Sequence, residues 1–328
     1  MLHLFRNKSP DTVLILLILT LVFKFQMLVN PQAPKTLDGY FLFNWVVWLF
    51  NFLLRGSGFA YTFLAILMIF VQALYLNYIT TRHRLYARTT YFPALVYILF
   101  TSMHPAFNYF SVPLLVNWCM LMGLDVVLGF NHSVNPRKNL FNAGVVIAMA
   151  ALLYFAGIGY LAVFIAALAL LRPFNAGEWI VGGMGYLTPL YFAACILFLA
   201  DMLPMLAAWP DLDMVMIHHI DKPIYIGSLI GGITILGCGS VYAMQQQLPK
   251  ATIHVRRSWI AILGYLLMSI LVALFGDVQV TNAWLLTIPA LSMVISQGLM
   301  LEKSKWFSNF MLYFSVIVVI DCRLALNK

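Results

Sequence analysis

Apolar and polar positions along the chain fall into long blocks rather than into the mixed faces of a soluble domain. Apolar runs can be drawn at 12–29, 58–79, 90–104, 110–129, 141–155, 157–171, 179–200, 224–244, 258–276, 282–300 and 306–320. Most are close to the roughly 20 residues that an α-helix needs to cross about 30 Å of hydrocarbon. Only helices and closed barrels satisfy their backbone in lipid, so the pattern predicts an all-α, polytopic helical membrane protein with about eleven membrane segments in one domain, 1–328. The stretch 141–171 is too long for one ordinary span and carries Gly157 and Gly159 at its middle. It is expected to form two short helices, Phe141 to Phe155 and Gly157 to Leu171. Each is about 22 Å long, so they cross fully or turn back within the bilayer.

Charge decides that split. With the N-terminus cytoplasmic, eleven segments place Arg6, Lys8, Arg82, Arg84, Arg88, Arg137, Lys138, Arg172, Lys250, Arg256, Arg257, Lys303 and Lys305 inside. That is thirteen of the 19 basic residues. Fusing 141–171 into one crossing would put the later basic loops outside and break the positive-inside rule. The arrangement places the C-terminus on the outer side. Arg6 and Lys8 precede the first run, but Asn30-Pro31-Gln32-Ala33-Pro34 is a poor cleavage site, so that run is expected to be retained. Composition agrees: 63% apolar and 9% charged residues exclude a soluble domain, and the net charge of +8 needs no nucleic acid. The inner loops are short and hold no GxxxxGKS/T loop, which argues against direct use of ATP. The four cysteines lack CxxC spacing, which argues against a disulfide framework or a zinc site.

Two outer connections are long enough to carry chemistry. In 30–57, the residues Asn44, Trp48, Asn51 and Arg55 recur at helical spacing opposite Phe43, Val46, Val47, Phe50 and Leu54. That pattern suits a helix lying in the outer interface, with Trp45 and Trp48 near the headgroups. Asp38 precedes it and is the candidate catalytic acid, a general base or metal ligand acting on a lipid-borne substrate; it is equally suited to capping the helix. In 201–223, Asp211, Asp213 and His218 are candidate ligands for a divalent metal, although a single helix would not make them converge. Asp125 is the one acid inside a run, a candidate proton carrier. His104-Pro105 suits a helix end. The glycines Gly182, Gly183 and Gly185, with the Gly227–Gly231 pair, suit close helix packing.

Phe5-Arg6-Asn7-Lys8-Ser9-Pro10 entering an apolar span, Arg137-Lys138-Asn139-Leu140-Phe141-Asn142-Ala143-Gly144, and Arg172-Pro173-Phe174-Asn175-Ala176-Gly177-Glu178-Trp179-Ile180 together resemble an uncharacterised family of multi-pass inner-membrane proteins of Bacteroidota. More coarsely, one span, a long outer loop with an acid and an interfacial helix, then short paired helices is similar to the layout of C-type glycosyltransferases, which use polyprenyl-phosphate sugars. That resemblance implies Asp38 as the first-loop acid and Lys35, Arg55 or Lys222 as holders of a lipid phosphate. This chain has one acid in the loop rather than an adjacent pair, and no large soluble domain follows the spans. Three functions therefore stand as expectations: handling a polyprenyl-linked sugar or lipid at the outer face, service as a non-catalytic membrane subunit of an envelope complex, or transport of a small solute.

Overall fold

A computed structural model describes residues 5, 10–130, 135–172, 175–202, 223–277, 280, 282–300 and 305–327. Among them every regular element is helical: α1 (Pro10–Val29), α2 (Phe41–Leu54), α3 (Gly58–Arg82), α4 (Phe92–Thr101), α5 (Val112–Leu128), α6 (Pro136–Leu153), α7 (Tyr160–Leu171), α8 (Ala176–Leu199), α9 (Pro223–Gln247), α10 (Ile253–Leu274), α11 (Ile288–Leu299) and α12 (Lys305–Asn327). Five helices are long and apolar enough to cross a membrane, namely 11–29, 58–82, 176–199, 253–274 and 306–323. The fold is thus all-α and has the character of a membrane protein.

Local sequence explains where the helices start and stop. The Oγ of Ser57 accepts from the Ala60 amide and opens α3, the Thr252 hydroxyl accepts from Val255 to open α10, and Asn175 accepts from Gly177 to open α8. Arg55 and Gly56 both have positive φ, 50° and 69°, which folds α2 back onto α3 in a two-residue reversal. The expected break in 141–171 falls at Tyr154, where a 3-10 turn over Phe155–Gly159 separates α6 from α7.

Two short helices form the centre. All ten residues of α4 are buried, as is every residue of α11 except Leu291, and the two pack on each other. At about 1.5 Å per residue α4 reaches only ~15 Å, half of a bilayer core, so a continuous span over 90–104 is not what forms, whereas 283–299 is helical throughout. Instead α4 is followed by a 3-10 turn over Pro105–Asn108, and α11 is preceded by one over Ala283–Thr287. Proline is the cause. Pro105 and Pro289 have no amide to give to the carbonyls of Thr101 and Leu285. The Leu285 carbonyl accepts from the Ile288 amide instead, and side chains add to it: the Asn117 amide donates to the Leu285 carbonyl at 3.1 Å, and the Tyr265 hydroxyl to that of Leu286 at 3.3 Å. In the same layer the Gln72 amide donates to Leu114 at 2.9 Å and holds the Tyr97 hydroxyl at 2.7 Å.

Hydrogen bonds sort the helix ends into two groups. At one end Lys24 of α1 meets Thr101 and Asn108, Arg323 of α12 meets the Ser102 carbonyl, Asn282 meets the Ala106 carbonyl, and Tyr40 meets Asp277. At the other, Arg82 and His83 meet Asp125, Trp259 donates to the Leu85 carbonyl, and Gln297 donates to Gln247. The first group contains the C-terminal ends of α1, α4, α10 and α12; the second contains those of α3, α5, α9 and α11.

The expected glycine packing holds for part of the set. A Cβ on Gly185 would enter the Phe141 carbonyl, and one on Gly144 would lie 2.7 Å from the Tyr186 amide, so α6 and α8 cross backbone to backbone. Gly232 and Gly239 of α9 lie against Val318 and Met311 of α12, whereas nothing lies near Gly183, Gly227 or Gly231 among the described residues. Overpacking therefore distinguishes these positions. Gly185→Ala is expected to cost about 1–3 kcal/mol, and Gly183→Ala within about 0.5 kcal/mol of nothing, read from thermal unfolding in mild detergent.

Candidate functional site

The Asp277 end carries the first expected site. Helix α2 lies across it. At its start Tyr40 stacks on Tyr154 past the end of α6, with ring centroids 6.4 Å apart, and donates its hydroxyl to Asp277 Oδ2 at 2.8 Å. In its middle Phe43 and Phe50 sit on Phe110, before the start of α5. Toward its end the Val47 carbonyl and Asn51 Oδ1 accept from the Tyr61 hydroxyl in the first turn of α3. A helix touching the ends of three others in succession runs along the face of the bundle.

The face expected to be apolar does meet the protein, with Phe43 and Val47 buried. Of the expected stripe, Trp48, Asn51 and Arg55 are exposed and Asn44 is half-buried. Asn44 turns back on the preceding loop, donating to the Leu37 carbonyl at 2.6 Å and accepting from the Leu37 amide at 3.0 Å, while Asn51 is taken by Tyr61. Beside Asn51 and Arg55 the outward side carries Trp45, Trp48, Leu49, Phe52 and Leu53, with Phe52 86% exposed.

Asp38 is exposed in the turn before Tyr40 and makes no hydrogen bond or ion pair among the described residues. It does not cap α2, whose N-cap position is Tyr40. Lys35 and Arg55 are also exposed, and no ion pair joins either to Asp38. The loop that holds Asp38 is nevertheless fixed along its length. Tyr109 donates to the Asn30 carbonyl, the Gln32 amide to Thr62, Asn44 brackets Leu37, and Tyr40 is tied to Asp277. Burial first, then the Asp277 carboxylate, pushes the Tyr40 hydroxyl far above its ordinary pKa and keeps it a donor at any physiological pH. Lys222 and the metal candidates Asp211, Asp213 and His218 lie outside the described residues; among those described, no three His, Cys, Asp or Glu side chains group to hold a metal.

Two cations in this layer escape a reading by composition. Lys24 is fully buried, its ammonium donating to Thr101 Oγ1 at 3.3 Å and to Asn108 Oδ1. Arg323 donates to the Ser102 carbonyl at 2.8 Å and to that of Phe23. Among the described residues neither has a carboxylate within ion-pair distance. A lone lysine near the end of an apolar run reads as a snorkelling side chain, and only its position inside the run hints otherwise. His104 is a helix-end residue as expected: its Nδ1 accepts from the Ala106 amide at 3.1 Å and starts the 3-10 turn.

The opposite end is built on Asp125. Its Oδ2 accepts from Arg82 at 2.7 Å and from the Tyr75 hydroxyl at 3.3 Å, while Oδ1 lies 2.8 Å from His83 Nε2. Asp125 and His83 are buried; the Arg82 side chain is 53% exposed. Helix periodicity could not pair them, because Asp125 and the Arg82-His83 step come from different helices. An acid so surrounded can hold or pass a proton, and it also ties the ends of α3 and α5 together.

No family model, no curated protein and no solved structure matches the chain.

The two ends respond differently to substitution. Asp125→Ala strands a buried imidazole and is expected to cost about 1–3 kcal/mol, while Arg82→Ala, at a solvated position, costs under about 1 kcal/mol in the same unfolding assay. Tyr40→Phe leaves the buried Asp277 oxygen without that donor. It is expected to speed protease cleavage within 30–40, measured by limited proteolysis at constant detergent, with little change in cleavage elsewhere.

Proposed function

We propose that the chain is a multi-pass protein of the bacterial inner membrane, with its N-terminus cytoplasmic and C-terminus periplasmic, that engages a polyprenyl-linked sugar or related lipid intermediate of the cell envelope at the outer face. The sorting of helix ends into two groups supports an alternating path of eleven segments. The Asp125 end carries Arg82, Arg84, Arg88, Arg256 and Arg257, which favours that end as cytoplasmic. The Asp277 end is then periplasmic.

One observation carries the functional reading: an anchored loop presents an exposed Asp38, without a partner among the described residues, beside a helix whose outward face is mostly apolar and ends at the exposed Arg55. A loop tied down at Asn30, Gln32, Leu37 and Tyr40 holds its acid in a constant position, so no ordering cost falls on substrate binding. The outward face of α2, with Trp45, Trp48 and Phe52, suits the acyl and headgroup boundary and leads an isoprenoid tail alongside. Asp38 then accepts the proton of an acceptor hydroxyl, and Lys35 and Arg55 hold lipid phosphate through charge-assisted hydrogen bonds. A second reading is a membrane subunit without catalysis. The open glycine surface of α9 at Gly227 and Gly231 favours it, since small residues admit a neighbouring helix closely.

Native mass spectrometry of the protein extracted gently from its own membrane separates the two. A bound polyprenyl phosphate or glycolipid is expected, weakened in Arg55→Ala; Asp38→Asn is expected to keep the lipid and lose turnover. A stoichiometric protein partner with no such lipid would overturn the lipid reading in favour of the subunit.

A further inference from the structure

Helix α3 ends in a turn that usually carries glycine. The Leu85 amide donates back to the Thr80 carbonyl and the Arg84 amide to that of Thr81, and Arg84 itself has a φ of 49°. Glycine or asparagine is the common residue in this left-handed position, because a Cβ crowds the backbone there. An arginine held against that preference calls for a role for its side chain. The side chain is exposed and makes no hydrogen bond or ion pair among the described residues.

The turn is locked to the start of α10. The Trp259 indole donates to the Leu85 carbonyl at 3.3 Å and meets the Tyr86 ring edge-on, with centroids 5.7 Å apart. Tyr86 in turn donates to the Met293 carbonyl of α11 at 2.8 Å. Arg257 and Arg256 stand two and three residues before Trp259, and both are exposed. Arg256 donates to the carbonyls of Ala251 and Pro249, which fixes its side chain against the preceding turn. Arg257 has no hydrogen-bond or ion-pair partner among the described residues. The acid of this end, Asp125, is buried and taken by Arg82, His83 and Tyr75.

Cationic side chains on short inner loops are ordinary and by themselves report only a side of the membrane. Two features set this corner apart. Its cations are carried on segments that are fixed to each other, and the helix beside them changes character along one face. Ile253, Arg256, Ile260, Gly264 and Leu267 recur at steps of three or four residues and are all exposed. A Cβ on Gly264 would meet nothing within 4 Å. The face that begins with arginine therefore continues as an apolar stripe with a shallow gap, matching a phosphate followed by hydrocarbon.

We propose that this corner binds one membrane lipid with a two-phosphate headgroup, of the cardiolipin type. Arg84 and Arg257 donate to the phosphates, Arg256 adds its remaining N–H groups, and an acyl chain lies along α10 over Gly264. Three guanidiniums exceed the single charge of one phosphodiester, and a second phosphate brings the charges closer to balance. The backbone on both sides is already ordered, so little ordering cost falls on binding. The site uses neither Asp38 nor α2 and is independent of the lipid reading at the other end.

Native mass spectrometry of the full-length protein in mild detergent, with cardiolipin or phosphatidylglycerol added at equal phosphate, gives the test. One cardiolipin per chain is expected to persist under activation that strips phosphatidylglycerol. Arg84→Gln with Arg257→Gln is expected to weaken its binding about tenfold. Arg137→Gln with Lys138→Gln is expected to leave it unchanged, since these exposed cations belong to α6, which packs on α5 and α8. Arg84→Gly separates the site from the scaffold. Glycine takes the left-handed turn more readily, so this variant is expected to unfold no earlier than the wild type yet to hold cardiolipin less tightly. Equal retention of both lipids by the wild type, equal weakening in the two paired variants, or full retention by folded Arg84→Gly overturns the proposal.

Discussion

The architecture depends on supplying hydrogen-bond donors to a backbone that is interrupted deep inside an apolar bundle. Pro105 cannot bond back to Thr101, so α4 stops short, and Pro289 cannot bond back to Leu285, so α11 is entered through a 3-10 turn. In lipid, a freed carbonyl has no water to turn to. Near these interruptions Asn117, Tyr265 and Arg323 donate to the carbonyls of Leu285, Leu286 and Ser102 from neighbouring helices. Each of these bonds also fixes one helix against another. The polar residues of the interior are therefore part of the same construction as the breaks. Once the helices are broken, polar side chains must be present at that depth, and those side chains are then available for chemistry.

How much of this was legible in the sequence depends on whether the information is local. Apolar blocks and their glycine break at 157–159 are local, and α6, α7 and the intervening turn follow from them. So are the reversal at Gly56 and the 3-10 start at His104. The shortening of 90–104 was not anticipated, although Pro105 was in plain view; hydropathy counts a proline without pricing its missing amide. Long-range pairs were invisible. Lys24 with Asn108, Arg82 with Asp125, and Tyr40 with Asp277 each join residues that periodicity cannot relate. The same holds for α2, where Asn44 and Asn51 have partners that a helical wheel does not contain.

The sites follow the same division. Asp38 is recognisable as an acid in a long loop, and the structure adds a description of its support: the loop is tied at four points and the acid itself is left free. Asp277 gave no such signal, standing in a short connection after an apolar run, yet it is the carboxylate on which that support ends. A free acid on a held loop and a buried acid beneath it are different resources. The first can meet something arriving along the membrane surface, and the second can act only on what lies within the protein.

The bond from Tyr40 to Asp277 joins residues separated by 237 positions. A ribosome adding about 5–20 residues per second needs roughly 12–50 s to make the intervening chain. During that interval the loop and α2 stand at the membrane surface with the Tyr40 hydroxyl unable to reach its acceptor. Assembly of the first outer element is thus scheduled by the tenth helix, and the loop can acquire its final form only after most of the bundle beneath it has been laid down.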